Sequence, residues 1–391
     1  MMSEWKEYKI KDITSRITSG GTPKSSEASF YDGTIPWLNT KEINFNRITK
    51  TERYITEEGL NNSSAKWIPK GSVIIAMYGA TAAKVAYSLI DLTTNQACCN
   101  LIIDEDKANS QFVYYYIQSS YEELLNLACG AAQQNLSVGV IGDFPIYLPP
   151  LDEQKRIASI LCSLDDKIDL LNRENATLEA MAETLFRQWF IEEAKEDWEE
   201  RSLLDCIKLV GGGTPTTSNP KYWNGNIYWL SGGDIASNHK KFACASAKCI
   251  SNVGLNNSSA KLLPEDAMVV SARGTVGKYC LLSKPMTFSQ SNYGILPVFD
   301  KCYFFTYLLV AYHIDELQSA AYGSVFDTIT TKTFEGVNVT LPQKENYITE
   351  FEKIIEPYFS KIKHNELQKQ SLIKTRDILL PQLMSNEINV E

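Results

Sequence analysis

Hydrophobic residues recur along this chain with two different periods. Residues 151–190 contain no Gly and no Pro. Through that stretch Ile157, Leu164, Leu171, Leu178 and Leu185 return every seven residues, and Leu161, Ile168, Asn175, Ala182 and Trp189 form a companion stripe. Such a seam at the a and d positions predicts one long coiled-coil helix. A second copy follows Leu341-Pro342, with Ile348, Ile355 and Ile362 on one stripe and Phe351, Tyr358, Asn365, Leu372 and Leu379 on the other. Pro357 lies inside it and predicts a kink or a late start, and Pro381 predicts its end. Each seam has one polar residue near its middle, Asn175 and Asn365. A buried seam Asn costs stability but fixes register. We expect the two helices to pack on each other, antiparallel, so that the two Asn meet.

Elsewhere the apolar runs are short. Gly71-Ser72-Val73-Ile74-Ile75-Ala76 and Ala267-Met268-Val269-Val270-Ser271 have strand length and are bounded by Gly or polar residues. The longest apolar stretch, Val73 to Ile90, is interrupted by Gly79, Thr81 and Lys84. That pattern predicts two buried strands around a loop and not a membrane span. Tyr114–Leu127 and Phe304–Ser319 have helical spacing. The class expected is α/β (α+β), with mixed β-sheets.

The strand-rich part occurs twice. Gly59-Leu60-Asn61-Asn62-Ser63-Ser64-Ala65-Lys66 returns identically at residues 254–261, half a chain away. Gly20-Gly21-Thr22-Pro23 returns as Gly212-Gly213-Thr214-Pro215, and Trp37-Leu38 as Trp229-Leu230. A repeat of this length is a duplicated domain and not a solenoid unit. The division expected is a first domain at 1–150, a helical segment at 151–193, a second domain at 194–343 and a second helical segment at 344–391. A pseudo-two-fold object of this kind suits a ligand with two sites.

Composition narrows the reading. Of 391 residues 44% are hydrophobic and 11% aromatic, which is globular. The polar start, Met1 to Lys11, is no signal peptide. Nine cysteines without a CxxC pattern point to reduced thiols and a cytoplasmic location. His239, Cys244 and Cys249 lack a fourth neighbouring ligand, so no metal is expected. The net charge of −9 argues at first against nucleic acid. Its distribution softens that objection. Residues 151–193 carry five basic and ten acidic side chains, whereas 194–343 carry 13 of each. Global charge therefore neither requires nor forbids DNA; a local basic face would be needed.

These features together resemble one family. The two Gly-Gly-Thr-Pro loops, the Trp-Leu strands, the helix start Leu148-Pro149-Pro150-Leu151-Asp152-Glu153-Gln154-Lys155-Arg156-Ile157 and its end Leu185-Phe186-Arg187-Gln188-Trp189-Phe190 carry the likeness, with Leu379-Leu380-Pro381-Gln382-Leu383-Met384-Ser385 at the chain's end. The whole chain is similar to the specificity subunit of a type I restriction-modification system. The resemblance implies two target-recognition domains separated by two long antiparallel coiled-coil helices. It implies a non-catalytic reader of a bipartite sequence in double-stranded DNA; no membrane partner is expected, given the interrupted apolar run at Val73–Ile90. It also implies two modification subunits and restriction subunits as partners. S-adenosylmethionine, ATP and magnesium would belong to those partners, with no cofactor in this chain. The copies diverge at 44–58 against 236–253 and at 129–141 against 322–334, as domains reading different sequences would.

The residues expected at DNA lie on loops. Thr22 and Lys24, with their counterparts Thr214 and Thr216, follow glycine pairs whose flexible backbone N–H groups suit phosphates. Tyr78, Thr81 and Lys84 on one tip, and Arg273, Thr275 and Lys278 on the other, link two apolar strands; a plain turn does not require a cation and a Thr at both tips. Gln133, Gln134 and Asn135 offer amides that can pair bidentately with adenine. The equivalent stretch, with Ser324, lacks amides and would read differently. The eight-residue identity is expected to be scaffold, because domains reading different bases would not share a reader. An adenine methyltransferase would need an Asn/Asp-Pro-Pro-aromatic motif, and Pro149-Pro150 follows Leu148 instead. Glu153-Gln154-Lys155 has a nuclease-like spacing, but acidic residues are ordinary at a helix start. With His only at 239, 313 and 364, duplicated His catalysis is excluded. The alternative is a coiled-coil scaffold carrying two protein-binding domains.

Overall fold

The computed structural model describes residues 5–129, 135–322 and 327–388. It divides into two compact units, each discontinuous in sequence: Met1–Lys167 with Leu372–Glu391, and Ile168–Ser371.

In the first unit a five-stranded mixed sheet runs in the order Thr14–Ser19, Cys98–Ile103, Val73–Ala76, Val85–Ser88, Asn46–Ile48. The last pair is parallel and the others antiparallel. A three-stranded sheet, Arg53–Ile55, Tyr31–Leu38 and Thr93–Thr94, is also mixed. Side-chain alternation builds two cores from one strand. Val73 and Ile75 join Ile10, Phe112 and Tyr115, whereas Ile74 and Ala76 join Leu38, Ile48 and Leu92. As expected, Val73–Ile90 forms two buried strands around a loop.

The second unit repeats this arrangement. Its sheets are Ile207–Gly211, Asn292–Pro297, Met268–Ser271, Tyr279–Leu282, Phe242–Ala243, and Lys248–Ile250, Trp223–Leu230, Thr287–Phe288. Each helical stretch foreseen after the sheets is two helices: Ser110–Ser119 and Tyr121–Cys129, and Tyr303–Tyr312 and Ile314–Tyr322. Ser120 (ψ 17°) and His313 (ψ 9°) step out of helical geometry and turn the chain.

The first long helix is Leu151–Arg187, closed by a π-helical turn over Gln188–Glu192. All of its seam residues are buried or half-buried. The second runs over Glu345–Met384. It neither starts late because of Pro357 nor stops at Pro381, contrary to expectation. Both prolines are exposed. The carbonyls that lose a donor, on Lys353 and Asp377, belong to exposed residues and can bond water instead. In the first unit Ile157 and Leu161 of one helix and Leu380, Leu383 and Met384 of the other complete the sheet's core. Within the second unit the helices run antiparallel: Asn175 lies beside Asn365, Phe186 is 6.1 Å from Phe351, and Trp189 is 4.9 Å from Tyr347.

Candidate nucleic-acid interface

Both Gly-Gly-Thr-Pro loops are clamped from two sides. The Gly21 N–H donates to the Thr94 carbonyl and the Gly213 N–H to that of Phe288, each at 2.9 Å. Trp37 Nε1 donates to Gly21 O, and Trp229 Nε1 to Gly213 O, again at 2.9 Å. A Cβ on Gly20 would stand 2.1 Å from Thr94 O, and one on Gly213 would stand 2.3 Å from Ala260 N. These glycines permit close backbone approach. Gly21 and Gly213 do not supply the flexible phosphate cradle that the sequence suggested, because the N–H and C=O of each are already engaged.

The same contacts explain the repeated octet. Thr56 and Ser251 cap the short helices that begin each copy. Asn62 and Asn257 bond back to the carbonyls of Glu58 and Val253, both at 2.9 Å. Ala65 and Ala260 are buried against the glycine pairs. Most of the octet is therefore scaffold.

The exposed Thr22 hydroxyl donates to Gln96 Oε1, and in the second unit Thr214 donates to Gln290 Oε1. Lys24 pairs with Glu27 at 3.1 Å, in full view of solvent. Thr216 is exposed, and its carbonyl accepts Trp223 Nε1 at 3.3 Å.

The hairpin tips are closed by backbone bonds, from Ala76 N to Lys84 O in one unit and from Ser271 N to Lys278 O in the other. Gly79 (φ +82°) and Gly274 (φ +77°) take the left-handed turns, with open space around them. Half-buried Tyr78 rests on the core beneath its tip, and the Thr81 carbonyl accepts Lys84 N at 2.9 Å. Lys84 Nζ donates to Asn44 Oδ1 at 2.7 Å and lies 5.9 Å from the Phe45 ring. Arg273 is exposed and has no ion-pair partner among the described residues. The Thr275 hydroxyl meets Ser271 Oγ at 2.9 Å and donates to Gly232 O at 3.2 Å. Lys278 is half-buried. Burial first, and the Lys278 charge second, hold the His239 imidazole below its ordinary pKa.

Asn135 is exposed beside Leu136, whose N–H donates to Met77 O at 2.8 Å. Gln133, Gln134 and Ser324 lie outside the described residues. In the second unit Ile329 N reaches Ala272 O at 3.1 Å, the same connection. Met77 N also donates to Ala97 O at 2.9 Å, and Ala272 N to Ser291 O at 3.0 Å. The tip, the Gln-bearing loop and the segment after the paired helices therefore meet at one end of each five-stranded sheet. Gln96, Gln290 and Asn44 were not among the residues foreseen. The signal for the first two was present: Gln survives between Thr93-Thr94-Asn95 and Ala97, and between Thr287-Phe288-Ser289 and Ser291. The rim offers amides, hydroxyls and cations. Among the described residues no cluster of His, Cys, Asp or Glu could hold a metal ion.

Residues 2–180 and 195–375 each match the type I restriction modification DNA specificity domain. The chain belongs to that family. The MjaIX specificity subunit of Methanocaldococcus jannaschii is 27% identical, over 99% of this chain and 94% of the relative. The HindI specificity subunit of Haemophilus influenzae is 22% identical, over 99% of this chain and all (100%) of the relative. The crystal structure of the S subunit from M. genitalium aligns with a TM-score of 0.60 at 15% identity, covering 97% of this chain and 96% of that one. It shares the fold. Among the described residues no helix is long and apolar enough to cross a membrane.

Proposed function

We propose that this chain is the sequence-reading subunit of a type I restriction-modification complex. The rim of each unit reads one half of a bipartite target in double-stranded DNA. The single observation that carries this is the pairing of one scaffold with two different sets of exposed rim residues. Lys84 and Lys278 close the two tips alike, but around them Asn44 holds the lysine in the first unit, whereas the second presents Arg273 and a Thr275 bonded to Gly232. The names of the relatives support the same assignment.

The chain acts without catalysis, as a reader and an assembly hub. Two modification subunits and the restriction subunits are its partners; S-adenosylmethionine, ATP and magnesium belong to them. The helices of the second unit offer a place for such a partner: an open apolar groove of about 630 Å³ lined by Ala176, Ala180, Met181, Leu185 and Tyr358. Exposed apolar surface of this kind marks interaction sites.

The test is methylome sequencing of cells with and without this gene and its modification partner. A split adenine-methylation motif should vanish when the gene is removed. An unchanged methylome, with no salt-sensitive and sequence-selective binding of duplex DNA by the purified complex, would favour a protein-binding scaffold instead.

A further inference from the structure

We propose that Gln96 and Gln290, together with the exposed lysines Lys66 and Lys261 that end the repeated octet, are the sequence-independent contacts of the two units with the DNA phosphate backbone. This rests on the reading of the chain as a DNA-binding subunit, and it identifies which exposed residues grip and do not read.

Three observations carry it. In Thr93-Thr94-Asn95-Gln96-Ala97 every residue but Gln96 is buried, and from Thr287 to Ser289 the residues before exposed Gln290 are buried too. The two stretches differ on both sides of the glutamine: Thr94 against Phe288, Asn95 against Ser289, Ala97 against Ser291. The core does not demand an exposed glutamine, yet both units keep it at the same place.

The second observation is how each amide is held. Thr22 and Thr214 donate to Oε1, so the loops fix the orientation of the glutamines. The Nε2 donors have no partner among the described residues. The Thr hydroxyl takes one of the two lone pairs of Oε1 and fixes the plane of the amide, which leaves an aimed N–H₂ that suits a phosphate oxygen.

The third observation is the exposed remainder of the octet. Its capping and packing residues are explained, but Lys66 and Lys261 are exposed and have no ion pair among the described residues. Gly21 packs on Ser64 and Ala65, and Gly213 on Ser259 and Ala260, so each lysine directly follows the residues that clamp the loop bearing Thr22 or Thr214. Units that read different bases share only the backbone as ligand. A cation and a donor amide, kept in both copies while Asn44 and Arg273 on the rim have no like counterpart, match that shared ligand.

The test uses the complex of this chain with its modification subunits. Duplex affinity is measured by fluorescence anisotropy across a salt series, on a target duplex and on one of shuffled sequence. Gln96→Ala should lose about five-fold on both duplexes with the salt slope unchanged, because a neutral donor releases no counterion. Gln96→Glu should lose more, since a carboxylate would face phosphate. Lys66→Ala should lower the salt slope by about 1. Gln290 and Lys261 variants should behave alike at the other half-site. The glutamate variant separates roles, because the Thr22 hydroxyl can donate to a carboxylate as well as to an amide. Parent-like affinity in Gln96→Glu would make Gln96 a structural prop and overturn the proposal. A changed base preference would make it a reader and also overturn it. Intact DNA binding with weaker retention of the modification subunit would reassign the patch to a protein interface. If the parent complex itself bound duplex without salt dependence, the DNA-binding reading would fail and this proposal with it.

Discussion

Asn365 donates from Nδ2 to Asn175 Oδ1 at 2.8 Å, and Asn175 donates onward to Glu366 Oε1 at 2.7 Å. Both asparagines are buried in the seam of the second unit. Asn365 Nδ2 also reaches Glu174 at 2.9 Å, and Lys369 closes the network on Glu366 at 2.7 Å. Asn365→Leu would leave Asn175 Oδ1 without its donor and should cost about 1–3 kcal/mol. The double Leu variant should recover part of that loss, with a coupling of about 1 kcal/mol in a double-mutant cycle by urea unfolding. Strict additivity would mean that the pair does not act as a unit.

In the first unit Arg376 Nη1 donates to Asp165 Oδ1 at 2.8 Å, and the Tyr115 hydroxyl donates to Asp165 Oδ2 at 2.6 Å. The two charged side chains are 16% and 8% exposed. Arg376→Leu strands a buried carboxylate and should destabilise by about 3–5 kcal/mol. Removing both charges with Asp165→Leu and Arg376→Leu should cost less than the single change. Differential scanning fluorimetry of the three variants orders these costs. A single variant as stable as the parent would show that Asp165 finds other compensation.

Glu352 accepts the N–H groups of Phe304 and Phe305 at 3.0 and 2.7 Å, capping the helix Tyr303–Tyr312 from the second long helix. Burial nonetheless pushes its carboxyl up to about 7 from an ordinary 4.5, with Glu356 and Asp266 adding to the rise. A folded-state pKa above the unfolded one means that the group's contribution is fully present below pH 4.5 and is lost as pH rises through about 7. The loss is at most about 3 kcal/mol. Glu352→Gln should flatten the stability curve of the protein between pH 5 and 8, measured by urea unfolding at each pH. Equal slopes in parent and variant would exclude this group as the cause.

Arg273 and Lys84 separate two kinds of tip. Arg273 is exposed and uncommitted among the described residues, so Arg273→Ala should weaken duplex binding and lower its salt slope by about 1. Lys84 is tied to Asn44. Its loss should act on binding partly through the loop, and Asn44→Ala should reproduce some of it. Unchanged affinity in both tip variants would remove the tips from the interface.

The heptads and the duplication were legible because they are periodic and repeated. Stripes at seven-residue spacing and an identical octet survive any local ambiguity. Pro357 and Pro381 misled because a helix tolerates proline where the freed carbonyl faces solvent, and exposure at one position is not encoded by the residue itself. The glycine pairs misled in a related way. Gly20 and Gly21 are required by the backbone of Thr94 and Ala65, residues remote in sequence. Gln96 was overlooked because an isolated glutamine has no spacing signature. Its meaning comes from the Thr22 bond and from its counterpart at Gln290.

Exchange of a recognition region should change one half of the DNA target and leave the other intact, since base-edge contacts reach only a few base pairs from each domain. The structure adds where the exchange should be cut. Replacing residues 1–150 alone leaves a foreign sheet facing Ile157, Leu161, Leu380, Leu383 and Met384, which complete the first unit's core. Replacing residues 1–167 together with 372–391 moves that core as a whole. Mismatched core volumes cost about 1–3 kcal/mol through overpacking or more through cavities. The full-unit exchange should therefore melt at a higher temperature than the shorter one, while both alter the same half of the methylated motif. Methylome sequencing reads the second outcome and scanning calorimetry the first. A shorter exchange that altered both halves would show that reading is not local to each unit. Equal melting temperatures would show that the helix residues follow the incoming sheet without cost.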